Sequence, residues 1–150
     1  QGNGPSSVDI GLFYQQELVA CMSFIELQQK VFILNRYATK THTPGGFTRL
    51  LKYFQNNHQW EQIISFADLR WSDGDVYDKA QFTLSKVLSP DYRYVLGNKT
   101  FHKFAFRRKQ LPRILGESFD SQLTEVQNMN NAGYYRIWNC GLNRYVLNHP

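Results

Sequence analysis

The chain has few of the residues that build disulfide, metal or membrane-spanning structures. Its two cysteines, Cys21 and Cys140, lie far apart in 150 residues, which favours unpaired intracellular thiols over a disulfide. The four histidines do not cluster with cysteines or carboxylates at ligand spacing, so no metal site is predicted. No apolar run approaches the roughly 20 residues of a membrane helix, and no basic-then-apolar leader opens the chain. A soluble protein is expected.

Aromatic rings and positive charge are abundant. The net charge is +5, and between residues 79 and 113 nine Lys or Arg face a single acid, Asp91. A basic stripe interleaved with aromatics is typical of a nucleic-acid surface, and DNA is the favoured partner. The alternative is a solvated edge hairpin whose cations deter aggregation. The candidate nucleic-acid contacts are Lys99, His102, Lys103, Arg107, Arg108, Lys109, Arg113 and Arg136.

The middle of the chain has the pattern of a strand–helix–strand unit. Residues 31–34 form an apolar run typical of a buried strand, and Pro44, Gly45 and Gly46 interrupt the chain. Apolar residues then recur at helical spacing from Phe47, before a second strand at 62–67, a short helix at 76–80 and a third strand at 82–88. The segment 24–37 is expected to run on into the first of these strands.

Hairpins are predicted around this unit. The first joins residues 10–14 to 18–24, the second joins 92–95 to 100–106, and the last joins 134–138 to 142–147. Residues 107–116 are expected to lack regular structure, and Asp120 or Ser121 to cap a following helix. The expected fold is α+β, a mixed, mostly antiparallel sheet of about seven strands with flanking helices. Residues 1–7 are predicted to be the end of a linker. Residues 8–150 are predicted to form one domain, with a core at 8–106 and an extension at 107–150.

Two segments carry candidate chemistry. Backbone amides at the helix start after Gly45 and Gly46, with Thr48 in the first turn, suit a phosphate group; a simple Gly-Gly turn is the equal alternative. Asp68 ends a strand, where it could accept a proton from an amine or hold Arg70. In a strand over 101–108, Phe101, Lys103, Ala105 and Arg107 would share one face, and His102, Phe104, Phe106 and Arg108 the other.

The order strand, glycine-rich turn, helix, strand and then Tyr77-Asp78-Lys79-Ala80-Gln81-Phe82 resembles the core of the GNAT acetyltransferase family. The resemblance implies a coenzyme A pyrophosphate held by His42, Gly45 and Gly46, with Tyr77 protonating the departing thiolate and acetyl-CoA or another acyl-CoA as cofactor. Phe47 stands where the family has a small residue, and its side chain is expected to crowd the amides. The alternative is that Tyr77 has no catalytic role and packs in the core.

Longer phrases, among them IISFADLRWSDGDVYDKAQF, FHKFAFRRKQLP and GYYRIWNCG, resemble the C-terminal part of phage Hef-like or very-short-patch-repair-like (Vsr-like) homing endonucleases. A fainter similarity is to Mom, a GNAT-like phage protein that modifies adenine in DNA. These resemblances imply a cytoplasmic, phage-encoded protein with an N-terminal nuclease domain as partner. Two hypotheses follow, a DNA-engaging accessory domain without catalysis of its own, and an acyl-CoA-dependent transferase acting on a nucleobase or other amine.

Overall fold

The computed structural model describes residues 8–150, so the predicted linker end at 1–7 lies outside the described residues. The chain divides into two compact units: unit 1 comprises the residues up to Leu88 together with Leu142–Pro150, and unit 2 comprises Ser89–Gly141. The predicted domain boundaries stay a prediction. Among the described helices, none is long and apolar enough to cross a membrane.

Unit 1 is built on a six-stranded mixed sheet with the order β1-β2-β3-β4-β9-β5. Among the strand pairs of residues 8–150 in this sheet, β3–β4 is parallel and the other four pairs are antiparallel. The predicted α+β class with a mixed, mostly antiparallel sheet is confirmed. The strands are β1 (Val8–Tyr14), β2 (Glu17–Gln28), β3 (Val31–Thr39), β4 (Gln62–Asp68), β5 (Thr83–Leu88) and β9 (Leu142–Asn148).

The first hairpin is confirmed, and a second one was missed. β1 and β2 are joined through Gln15 and Gln16, which both adopt positive φ, as a tight hairpin turn requires. The segment 24–37 does not form one strand as predicted, because the chain reverses between Gln28 and Val31. Lys30 adopts φ 61°, and its N–H donates to the Glu26 carboxylate (3.2 Å). Neither turn contains the glycine or asparagine that normally marks one in a sequence.

The predicted helix is α1 (Gly46–Asn57), which connects the parallel strands β3 and β4. Its buried side includes Leu50, Leu51 and Phe54, in agreement with the helical spacing of the sequence. Phe54 stacks on Phe24 of β2, with ring centroids 3.8 Å apart, and meets Phe32 of β3 edge-on. The short helix α2 (Asp75–Lys79) adds Val76 and Tyr77 to the same core.

The predicted last hairpin is wrong. Its first half is β8 (Tyr135–Trp138), which pairs with a strand of unit 2, whereas β9 lies between β4 and β5 in the sheet of unit 1. β9 contributes Tyr145 and Val146, both buried. A strand with partners on both sides can pair its backbone N–H and C=O groups along both edges, which a strand of a terminal two-stranded hairpin cannot do.

Unit 2 contains a three-stranded sheet of order β7-β6-β8, made of β6 (Tyr92–Leu96), β7 (Lys99–His102) and β8. The predicted hairpin of β6 and β7 is confirmed, but β7 ends at His102 and a 3₁₀ helix follows (Lys103–Phe106). The His102 Nδ1 accepts from the Phe104 N–H (3.3 Å) and caps this turn. The predicted alternation of faces from Phe101 to Arg108 is therefore wrong beyond His102.

Two further predictions in unit 2 are corrected. The stretch 107–116 is helical, with a 3₁₀ turn (Arg108–Gln110) leading into α3 (Leu111–Leu115), because Leu111 is fully buried in the core. The next helix, α4 (Glu125–Asn131), begins later than predicted. Thr124 and Gln127 form a capping box, whereas the buried Asn128 amide donates to the backbone oxygen of Asp120 (2.8 Å) and holds that segment outside the helix.

Candidate functional site

The parallel strands β3 and β4 separate part-way along the sheet of unit 1. Their register covers Val31–Ile33 against Gln62–Ile64, and both strands continue beyond it. At the point of separation, the buried Ser65 hydroxyl donates to the Leu34 carbonyl oxygen (3.1 Å). The Tyr77 hydroxyl lies 2.9 Å from the Ser65 Oγ and 3.4 Å from the Phe66 carbonyl oxygen. Two side-chain hydroxyls thus supply hydrogen bonds where direct strand pairing ends.

Tyr77 is packed by aromatic rings. Its ring stacks on Tyr145 (centroids 4.9 Å apart) and meets Phe47 and Phe82 edge-on at 5.8 and 5.5 Å. Burial raises the pKa of Tyr77 above its usual value, against a smaller lowering by the Ser65 hydrogen bond. The phenol is therefore protonated at neutral pH. It is anchored in the core, and its role as a catalytic acid stays a prediction.

Asp68 lies at the end of β4 and shapes the following turn. Its Oδ1 accepts from the backbone N–H of Arg70 (3.0 Å), and its carbonyl oxygen accepts from the N–H groups of Trp71 and Ser72. Of the two predicted roles, the contact with Arg70 is present, through the backbone. The carboxylate is half-buried rather than enclosed, and proton acceptance by Asp68 remains a prediction.

The start of α1 has the features of an anion site in part. Gly45 adopts φ 68° as the N-cap, and no side chain caps the helix. The Gly46 N–H already donates to the Thr43 carbonyl oxygen (3.0 Å), while the Thr48 hydroxyl donates to the Gly45 carbonyl oxygen (3.1 Å). A Cβ at Gly46 would lie 2.8 Å from the Tyr37 hydroxyl, so glycine is required for packing there.

Phe47 does not crowd these amides as expected from the sequence. Its ring is 6% exposed and points into the core of unit 1, where it meets Tyr37 edge-on at 5.2 Å. The side chain that departs from the family pattern therefore fills the space beneath the helix. The outer side of the helix start stays open, with Gly45 and Thr48 exposed.

A pocket of about 250 Å³ lies beside this helix start. His42, one of the predicted phosphate contacts, lines it together with the exposed Arg49, which the sequence analysis missed. A cation in the first turn of a helix is disfavoured by the helix dipole, and this is the signal that could have found Arg49. The remaining lining residues are Leu12, Phe13, Tyr14, Val19, Thr41, Thr43 and Pro44.

The predicted nucleic-acid contacts of unit 2 fall into two groups. Lys103 and Arg136 are held by the unit's own side chains: the Lys103 Nζ lies 2.5 Å from the Asp91 carboxylate, and Arg136 donates to the Tyr94 hydroxyl (3.3 Å). The hydrogen bond from Lys103 is the largest of the causes that lower the pKa of Asp91. The second group is exposed to solvent and comprises Lys99, His102, Arg107, Arg108, Lys109 and Arg113.

Within residues 8–150, no group of three or more His, Cys, Asp or Glu side chains could hold a metal ion. Cys21 is half-buried and Cys140 is exposed, and both thiols are free.

No family model and no curated protein matches this chain. Among solved structures, it is similar to an acetyltransferase of Bacillus subtilis crystallised in complex with CoA, with a TM-score of 0.49 and 13% identity. The match covers 92% of this chain and 74% of that chain. That protein is an acetyltransferase, the class that the sequence also resembles. At this level of similarity, the function of the chain has to be argued from its own residues.

Proposed function

We propose that this chain is a DNA-engaging accessory domain on a GNAT-like scaffold, part of a phage homing-endonuclease-like protein, and that unit 2 contacts the phosphate backbone. The observation that carries the proposal is the distribution of charge. Unit 2 holds eight Lys or Arg and four Asp or Glu, so it contains +4 of the net charge of +5 in about a third of the chain. Cations clustered in this way bind phosphates without reading sequence.

The densest part of this charge lies on the helical segment that follows β7. Arg107, Arg108 and Lys109 are consecutive and exposed, and Arg113 comes four residues after Lys109. Leu111, fully buried, anchors the segment and leaves the cations outside. Cations that are concentrated in one segment and face solvent support a role in binding an anionic partner.

The proposal is tested by replacing two of these cations. The variant Arg107→Ala/Arg108→Ala is expected to bind a short duplex DNA more weakly, with a plot of log K against log salt shallower by about 2. Lys79→Ala/Lys86→Ala removes the same charge from exposed positions of unit 1 and is the matched control. A salt slope that is unchanged in the first variant, or reduced equally in both, would sink the assignment to unit 2.

A second candidate function is an acyl-CoA-dependent transferase acting on a nucleobase or other amine. The observation in its favour is the separation of β3 and β4 where the Tyr77 hydroxyl meets Ser65 of β4, together with the contact of the Tyr77 ring with Phe47 in the first turn of α1, whose start has no side-chain cap. His42, Gly45, Gly46 and Thr48 would hold the pyrophosphate, and Tyr77 would be the acid. Thermal melting with acetyl-CoA and with DNA in parallel separates the two candidates, since a ligand of the folded state raises the midpoint.

A further inference from the structure

One side of the small sheet in unit 2 carries aromatic rings that alternate with cations. Tyr92 is at its centre. The guanidinium carbon of Arg136 lies 4.2 Å from the Tyr92 ring centroid, the Lys103 Nζ lies 5.4 Å from it, and the Trp138 ring lies 5.0 Å away. Trp138 is also the direct cross-strand partner of Tyr92.

The series continues to Phe104. The Lys103 Nζ lies 5.6 Å from the Phe104 ring centroid, and the Arg107 guanidinium carbon lies 4.7 Å from it. Lys103 therefore lies against two rings at once, and Arg107 adds a cation at the outer end. Each of these distances is within the range of a cation–π contact. We call this surface the stacking face; it comprises Tyr92, Lys103, Phe104, Arg136 and Trp138.

In the stacking face, the cations at the centre are fixed by neighbouring side chains, and the rings at the two ends are exposed. The inner cations are fixed, Lys103 by Asp91 and Arg136 by the fully buried Tyr94. The outer rings are about half exposed, Phe104 at 55% and Trp138 at 52%. A packed core would bury these rings, and a solvated edge would not fix cations against them. Half-exposed aromatic rings beside cations are an arrangement on which nucleobases stack.

The elements of unit 2 are poorly suited to reading a duplex through its major groove, which a recognition helix usually enters. α3 has five residues, and α4 has seven with the acidic Glu125 in its first turn. An aromatic face offers nothing to a base that is already stacked between its neighbours. It does serve a base that has no stacking partner, as in single-stranded nucleic acid.

We propose that the stacking face binds single-stranded DNA, with unpaired bases stacked on Phe104 and Trp138 while Arg107, Arg108 and Lys109 hold the backbone. The inference rests on the proposed function, which requires only phosphate contacts, and it adds the form of nucleic acid that unit 2 prefers. The stacking face would bind bases without strong sequence preference, because every base has a face that can stack.

The experiment compares three probes on the full chain: a single-stranded 12-mer, the duplex of the same sequence, and an abasic strand of the same length. We expect the unmodified chain to bind the single strand at least about tenfold more tightly than the abasic strand and more tightly than the duplex. Abasic and ordinary strands carry the same phosphates, so their difference isolates the bases. This comparison needs no variant and is independent of any folding defect.

Substitution then locates the contact. Phe104→Leu/Trp138→Leu is expected to lose at least about tenfold in affinity for the single strand while its duplex affinity is unchanged. Tyr135→Leu is the matched control, because Tyr135 is 64% exposed and alternates with Arg136 and Trp138 on β8, so that it lies on the opposite face. Far-UV circular dichroism and thermal melting establish that both variants are folded.

The outcomes separate the two proposals. Equal affinity for ordinary and abasic strands would overturn the stacking face and leave the phosphate contacts of the proposed function standing. Loss of affinity in Tyr135→Leu equal to that in the double variant would overturn it as well. No salt-sensitive binding of any of the three probes would contradict both proposals.

Discussion

The phenol of Tyr94 is enclosed in unit 2 between two charged side chains. It donates to the Glu125 carboxylate (3.0 Å) and accepts from Arg136 (3.3 Å), and burial raises its pKa to about 12. The folded state therefore favours the neutral phenol. That contribution to stability is fully present below the ordinary pKa of 10.0 and is lost as the pH rises toward 12.

Tyr94→Phe should consequently weaken the dependence of stability on pH between 10 and 12. The measurement is urea unfolding at several pH values in this window, with Tyr135→Phe, which removes an exposed phenol, as the control. A slope of unfolding free energy against pH that is the same in Tyr94→Phe and in the unmodified chain would contradict this account of Tyr94.

Residue type alone could not divide the predicted DNA contacts into two groups. Lys103 and Arg136 have the same chemistry as Arg107 and Arg108, and all four were predicted as contacts. What distinguishes Lys103 and Arg136 is a side-chain partner distant in the chain, since Asp91 is 12 residues from Lys103 and Tyr94 is 42 residues from Arg136, whereas Arg108 donates to the backbone oxygen of Ser121 (3.2 Å). Such pairings depend on which strands become neighbours, and no local pattern encodes them.

The start of α2 requires a glycine for two separate reasons. Gly74 adopts φ 101°, and a Cβ on it would lie 2.0 Å from the Tyr145 hydroxyl oxygen. Tyr145 cannot easily move, because its ring stacks on Tyr77 and its hydroxyl donates to the Asp73 carbonyl oxygen (3.2 Å). Gly74→Ala should therefore destabilise the fold by about 2–5 kcal/mol, from backbone strain and overpacking together.

Gly97→Ala is the comparison, because Gly97 also has positive φ (55°) but nothing within 4 Å of its Cβ position. Gly97→Ala should lower the free energy of unfolding by about 1–2 kcal/mol, from backbone strain alone. Urea unfolding of both variants measures the difference. If the two losses were equal, the close approach of Tyr145 to Gly74 would not matter to stability.

Elements were predictable where their signal is local and repeats. α1 was found because Leu50, Leu51 and Phe54 recur at helical spacing, and the β6–β7 hairpin because Gly97 and Asn98 mark its turn. The turn at Lys30 was missed because a lysine there gives no sign of its positive φ. α3 was missed because its anchor, the buried Leu111, depends on partners elsewhere in unit 2.

The chain leaves unit 1 and returns to it at adjacent points. Leu88, at the end of β5, is the direct antiparallel partner of Leu142, at the start of β9. A two-residue Asn-Gly turn in place of residues 89–141 could therefore connect the two strands as a hairpin. We expect this shortened chain to fold cooperatively, and to lose the salt-sensitive DNA binding that we assign to unit 2.

Near-ultraviolet circular dichroism and thermal melting would show whether the shortened chain has fixed tertiary packing, and a DNA titration would show what it retains. A chain without a cooperative transition would mean that unit 1 depends on residues 89–141 for its stability. A folded chain that still binds DNA with the original salt slope would instead place the contacts in unit 1.

Local pattern was enough for the α+β class, the amphipathic helix α1 and the concentration of positive charge after residue 79, because each arises from neighbouring residues and their spacing. Pairing between strands distant in the chain determined the strand order and the candidate sites. β9 lies between β4 and β5, and β8 joins β6, because a strand acquires its neighbours from burial across the whole chain. The same pairing brings Trp138 to Tyr92 and Tyr77 to Ser65, so both candidate sites exist only in the folded molecule.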